Sequence, residues 1–98
     1  MDYGSQRWKN KRKRILRLDG YRDVVAARYG RIIEATVVHH IYPADAYPEY
    51  AWADWNLISV SQGTHTKLEN RATGELTEEG LALMRRTKPG KDWRKKNG

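Results

Sequence analysis

Residues 37–65 read VVHHIYPADAYPEYAWADWNLISVSQGTH, and the order of elements in this stretch decides the fold. Ile32 to Ile41 (IIEATVVHHI) is rich in β-branched side chains, which suit a pleated strand, and the strand must stop before Pro43. Trp55 to Val60 (WNLISV) reads as a second short strand with Leu57 and Ile58 partly buried. The intervening Tyr42–Asp54 segment, rich in proline and aromatics, is then a loop with one short helical turn, across which the strands pair as an antiparallel ribbon. From Ser61 the composition turns helical to about Arg71, with Ser61 or Thr64 as N-cap.

Upstream, Ser5 to Leu18 (SQRWKNKRKRILRL) contains no Gly or Pro, and Trp8, Ile15, Leu16 and Leu18 fall roughly on one helical face. This predicts a basic helix with one thin buried stripe, ended by Asp19-Gly20. A loop through Tyr29-Gly30 follows. Downstream, Ala72-Thr73-Gly74 breaks the chain, and Thr77 caps a last helix, TEEGLALMRRT, with acids in its first turn and Arg85-Arg86 in its last, as the helix dipole favours. Residues 1–90 read as one domain and 91–98 (KDWRKKNG) as a basic tail with little to bury, expected to be mobile without a partner.

At 98 residues with 39% apolar content there is room for one modest core. No apolar run approaches the roughly 18 residues that a transmembrane helix needs, and the basic N-terminus is not followed by the apolar stretch of a secretory signal. No membrane partner is expected. With no cysteine, disulfides, thiolate zinc sites and cysteine nucleophiles are excluded together. The net charge of +7 is unevenly spread: residues 1–17 and 85–98 are each +6, and the 67 residues between them are −5. Basic ends around an acidic centre suit a chain that holds a polyanion at its ends and a cation in its middle, with DNA and a metal ion as the fitting pair.

The chemistry-bearing residues are few. His39 and His40 end the first strand, Asn56 opens the second after fifteen residues, and His65 lies eight residues later in the first turns of a helix. Adjacent strand residues point to opposite faces, which suits two different jobs for His39 and His40. Glu69, one helical turn after His65, is on the same face and offers a hard oxygen donor. A lone histidine is commonly a packed or surface side chain; the pattern of three is what carries weight.

That pattern resembles the HNH endonucleases of the small, phage-associated type. The residues carrying the resemblance are DGY (Asp19–Tyr21), VVHHI (Val37–Ile41), Pro43 and NLISVSQGTH (Asn56–His65), followed by TKLEN. Together they span about Trp8 to Arg71. The resemblance implies an α+β fold, a small ββα-metal core of degenerate treble-clef type with a flanking basic helix and a C-terminal helix. It implies His40 as general base, His39 and His65 as ligands of one divalent cation (Mg, Mn, Ni or Zn), and Asn56 as the residue whose side chain holds the loop and the base in register. Members usually bind a structural zinc through two CxxC pairs; the corresponding positions here are Asp23, Ala26, Ser61 and Thr64, so no structural zinc is expected and packing must hold the scaffold. Tyr21, Tyr29, Trp52, Trp55 and the aliphatics of the last helix are the side chains expected to supply it.

The function so implied is metal-dependent hydrolysis of DNA phosphodiesters with low sequence specificity. Neutral imidazole takes the proton of the attacking water and the cation neutralises developing charge. Arg7, Lys11, Arg12, Lys13, Arg14 and Arg17 are the expected phosphate contacts. The resemblance further implies a phage or prophage protein acting in the bacterial cytoplasm, in company with the DNA-packaging terminase. The competing reading is a catalytically silent DNA-binding module of the same fold.

Overall fold

A computed structural model describes residues 1–95 of the chain. In chain order the elements are α1 (Gln6–Leu18), α2 (Val24–Ala27), β1 (Val37–His40), β2 (Leu57–Val60), α3 (Gln62–Leu68) and α4 (Glu78–Arg86), with 3₁₀ turns at Pro48–Tyr50 and Asp54–Asn56. β1 and β2 pair antiparallel, Val37 opposite Val60 and His40 opposite Leu57. The expected ββα order is present, and the ribbon is shorter than expected for a definable reason. Ser61 directly follows Val60 and caps α3, its hydroxyl accepting from the Thr64 N–H, so upstream of Val37 the ribbon ends on the Thr36 N–H bond to the Val60 carbonyl at 3.1 Å. Residues 33–35 run instead against 21–23, with Asp23 N–H donating to the Ile33 carbonyl and Ala35 N–H to that of Tyr21, both at 2.8 Å, and Ile32 is left 80% exposed.

The pleat sorts the ribbon's side chains onto two cores. Val38 and Leu57 join Trp8, Ile15, Leu16 and Ala35 on the α1 side. Ile58 and Val60 join Ile41, Leu68 and Leu83 on the side of α3 and α4. α1 begins at Ser5, whose hydroxyl accepts from Trp8 N–H, and buries Trp8, Ile15 and Leu16. Leu18, expected on that stripe, is exposed, because the helix ends there and the chain turns away through Gly20 and Tyr21, both at positive φ. Tyr21 and Tyr29 are likewise exposed rather than core; of the aromatics expected to pack, Trp55 is buried and Trp52 half-buried against the cluster that holds Trp8.

The short α2 interrupts what reads as a loop, and Asp23 explains it. Its Oδ1 accepts from the Val25 and Ala26 N–H groups at 3.0 and 2.9 Å, while Oδ2 accepts from Ser61 N–H at 2.8 Å. The Ser61 and Thr64 hydroxyls bond each other at 3.1 Å. Burial alone would raise this carboxyl; donors from Ser61, Thr64 and Ala26 more than offset that and hold it below the ordinary carboxylate range. A charge-assisted network therefore occupies the four positions at which the family resemblance places cysteines, tying the start of α2 to the start of α3.

α4 closes over α3 at Gly80, where a Cβ would come within 2.1 Å of the Leu68 carbonyl oxygen. Beyond Gly90, Trp93 and Arg94 of the segment expected to be a mobile tail make hydrogen bonds to the domain. Trp93 Nε1 donates to the Trp55 carbonyl at 3.0 Å, and Arg94 grips both oxygens of Asp19 at 2.6 and 3.0 Å while also donating to the carbonyls of Asp54 and Leu57. The planar guanidinium satisfies a carboxylate and two carbonyls at once, which tethers the end of the chain without any apolar run. Residues 96–98 lie outside the described residues. None of the described helices is long and apolar enough to cross a membrane.

Both Gly80 and Arg94 are testable through stability. Gly80→Ala should cost about 1–3 kcal/mol through overpacking against α3, read as a lowered urea midpoint with unchanged m-value. Arg94→Ala should cost about 3–5 kcal/mol, because it leaves the nearly buried Asp19 carboxylate unpaired; a thermal midpoint equal to that of the parent chain would show the C-terminal segment to be undocked in solution.

Candidate active site

The two histidines at the end of β1 diverge as the pleat requires. His39 enters the α3 side and packs edge-on to His65 with ring centroids 5.2 Å apart. His40 enters the α1 side and stacks on Trp8, centroids 5.2 Å apart and planes 17° from parallel. Both line one cleft of about 360 Å³, with Tyr3, Arg12, Thr36, His65 and Glu69 also in its wall.

On the α3 side, ligand atoms of His39, His65 and Glu69 all lie within 4.8 Å of one another. His39 is 1% exposed, yet neither ring nitrogen has a hydrogen-bond partner among the described residues. Burial, with His65 and His40 adding, pushes its pKa down to about 3, so at neutral pH it is an uncharged imidazole with a free lone pair. A buried polar ring without partners is costly, and two imidazoles with one carboxylate form a mixed nitrogen and oxygen donor set that suits a divalent transition ion. The residues present therefore fit a metal. Glu69 reaches this cluster differently from expectation: it is not on the helix but caps its C-terminus in extended conformation, bridges to Leu76, and still brings Oε2 to 3.5 Å from His65 Nε2.

On the α1 side, His40 Nε2 lies 3.0 Å from the Ala51 carbonyl oxygen. A carbonyl only accepts, so Nε2 carries the proton and, in the neutral ring, Nδ1 keeps the lone pair. Burial lowers the His40 pKa against the raising effects of the Ala51 carbonyl and of Asp45, which favours that neutral ring. Ala51 is held by Asn56. The carboxamide Oδ1 accepts from Tyr42 N–H at 2.7 Å, and Nδ2 donates to the carbonyls of Tyr42 and Tyr50 at 3.0 and 3.1 Å, so one fully buried side chain closes the loop onto the start of β2.

The basic residues of α1 separate into groups. Lys11 and Arg14 pair with Asp54 at 2.5 and 2.8 Å, and the hydrogen bond from Arg14 and the two positive charges pull the Asp54 carboxyl down to about 2. Arg7 lies over the Trp52 ring at 3.8 Å. Arg12 is the member in the cleft wall, with Nη2 donating to the Thr36 carbonyl at 2.5 Å. Lys13 and Arg17 are exposed. The cleft residues that sequence reasoning did not single out are Tyr3, Trp8, Thr36 and the Ala51 carbonyl. Trp8 had a signal, as the first apolar residue of the buried stripe; the others had none, because a backbone carbonyl or an N-terminal tyrosine becomes part of a site only through tertiary placement.

Neither a scan against protein-family models nor a search of curated proteins gives a match. Among solved structures the chain is similar to the HNH endonuclease of the deep-sea thermophilic bacteriophage GVE2 with manganese ion, at 28% identity and a TM-score of 0.63, over 65% of this chain and 70% of that one. The two-stranded ribbon, the helix after it, the clustered His39, His65 and Glu69 and this likeness agree: the chain has the ββα-metal fold of the HNH endonucleases, the family that its likeness to the phage enzyme supports.

Proposed function

We propose that the chain is a metal-dependent DNA endonuclease of low sequence specificity, with His40 as general base and His39, His65 and Glu69 as ligands of one divalent cation. The observation that carries this reading is the unpartnered, buried His39 within ligand distance of His65 and Glu69, in the same cleft as a His40 whose tautomer is already set. His40 Nδ1 takes the proton of a water attacking phosphorus, while the Nε2 bond to Ala51 and the stack on Trp8 keep the ring from rotating. Asn56 acts on the reaction only by holding the loop that bears Ala51. Arg12 is placed to contact a nonbridging phosphate oxygen in the cleft, and Arg7, Lys13 and Arg17, with the partly engaged Lys11 and Arg14, supply weaker field along α1. A divalent cation held by the three ligands would supply positive charge for the developing negative charge on the phosphate and leaving oxygens; Mg, Mn, Ni and Zn all suit the donor set, and the manganese of the similar phage structure is one of them. The phage origin of that relative also supports a phage or prophage protein acting in the bacterial cytoplasm, and action beside a terminase rests on the sequence resemblance.

Supercoiled plasmid incubated with the protein and Mg²⁺, Mn²⁺ or Ni²⁺ should give nicked or linear product. His40→Ala should lower turnover by about 10²–10⁴-fold with metal affinity unchanged, whereas His39→Ala and His65→Ala should weaken metal binding in calorimetric titration. Glu69→Gln should do so to a smaller degree. DNA binding without cleavage under every ion would establish the silent-module reading instead.

Metal removal separates activity from folding here. A chelator should abolish cleavage yet lower the thermal midpoint only by the small linkage contribution of one open site, because Asp23 ties α2 to α3 without an ion. Cooperative unfolding on chelation would sink this account of the scaffold.

A further inference from the structure

Several cations stand outside the cleft described above. Arg28, just after α2, Arg86 at the end of α4, and Lys88 and Lys91 beyond it line a second cleft of about 360 Å³, walled by Trp93. Arg28 and Trp93 also line an adjoining cleft of about 380 Å³ together with Arg22, so the two meet across the indole as one groove. The acid in its wall is Asp19, both of whose carboxylate oxygens are occupied by Arg94. The neighbouring Asp92 is turned to the Arg94 N–H at 3.1 Å. None of Arg22, Arg28, Arg86, Lys88 and Lys91 makes an ion pair among the described residues.

Three cations are neutralised internally, Lys11 and Arg14 with Asp54 and Arg94 with Asp19. The cations of this groove have no such acidic partner among the described residues. Trp93 is pinned through Nε1 to the Trp55 carbonyl, and Arg94 next to it is anchored on Asp19, so the indole is held in the wall of the cleft that Arg28 and Lys91 also line. Guanidinium and ammonium groups gathered along a groove match a linear array of phosphates, which duplex DNA presents at about one charge per 1.7 Å of axis, denser than an extended acidic peptide at about one charge per 3.3 Å.

We propose that the groove of Arg22, Arg28, Arg86, Lys88 and Lys91 around Trp93 is a second binding site for the phosphodiester backbone of duplex DNA, sharing no lining residue with the catalytic cleft. The choice of DNA as the polyanion rests on the nuclease reading. The chain then grips its substrate at two places, and affinity is set in the groove independently of chemistry in the cleft. Contacts there are to backbone and carry no base readout.

The test is fluorescence anisotropy of a labelled duplex, with a chelator present to prevent cleavage, comparing the parent chain with the triple variant Arg28→Gln, Lys88→Gln, Lys91→Gln. The slope of log affinity against log salt should become shallower by about 2.7, or about 0.9 for each phosphate that the variant no longer neutralises, while turnover at saturating plasmid stays that of the parent. In the unaltered chain, duplex DNA should protect Lys88 and Lys91 from an amine-reactive reagent, a readout that does not depend on the variant folding. An unchanged slope in a folded variant, or Lys88 and Lys91 left reactive by a duplex that protects Lys13, overturns the second site and leaves the nuclease reading standing. Protection by a polyglutamate peptide but not by the duplex assigns the groove to an acidic protein and overturns it equally. A parent chain that neither binds duplex nor cuts plasmid overturns both readings together.

Discussion

The register of a four-residue ribbon governs everything that the molecule's cleft can do. Side chains alternate along a strand, so a slip of one residue between β1 and β2 would exchange His39 and His40 between the two cores. A ladder this short has few hydrogen bonds of its own to resist such a slip. Asn56 supplies the missing constraint: its carboxamide bonds both backbone groups of Tyr42 and the carbonyl of Tyr50, while its own carbonyl accepts from Ile41 N–H at 2.8 Å. The fifteen-residue loop between His40 and Asn56 is thereby closed at one register. Its middle then presents Ala51 to His40, and the pleat delivers His39 to α3.

The acidic centre of the chain has a different meaning from the one its charge suggests. Of the ten acids between residues 18 and 84, only Glu69 joins the histidine cluster. Asp19, Asp23 and Asp54 are instead internal acceptors, each joining segments distant in sequence: Asp19 receives Arg94 and Ser59 N–H, Asp23 receives Ser61 N–H, and Asp54 receives Lys11 and Arg14. A domain of this size has a small core, and charge-assisted bonds between its elements substitute for apolar area. The same arrangement explains why part of the basic helix is spent on the protein itself and why unpaired positive charge collects in two places, along α1 and in the groove at Trp93.

Much of the fold was legible in local sequence because local physics sets it. Ser5, Ser61 and Thr77 cap helices through their own hydroxyls, Gly20 and Gly74 end segments at positive φ, and the β-branched run around Val37 forms a strand. The misreadings share one cause. Ile32 to Thr36 has strand composition but only the single bridge of Glu34 to Arg22 opposite it, Leu18 is on the helix but beyond the surface it covers, and Tyr21 and Tyr29 are large and apolar yet sit on turns facing water. Propensity speaks for a residue's backbone, and burial depends on what lies across from it.

The sequence by itself determined the order in which the candidate site's polar side chains are delivered: two histidines at a strand end, an asparagine at the next strand's start, and a histidine and a glutamate around the following helix. Those are properties of spacing, and spacing is carried by the chain. Only the tertiary structure decided which His40 nitrogen holds the proton, that Glu69 reaches His65 from outside the helix, that Arg94 docks on Asp19, and that Arg28 meets Lys88 and Lys91 across Trp93. Each of these depends on a group distant along the chain, on a backbone carbonyl with no side-chain identity, or on how the chain leaves a helix, and such groups are brought within a few ångströms only when the cores on both faces of the ribbon close.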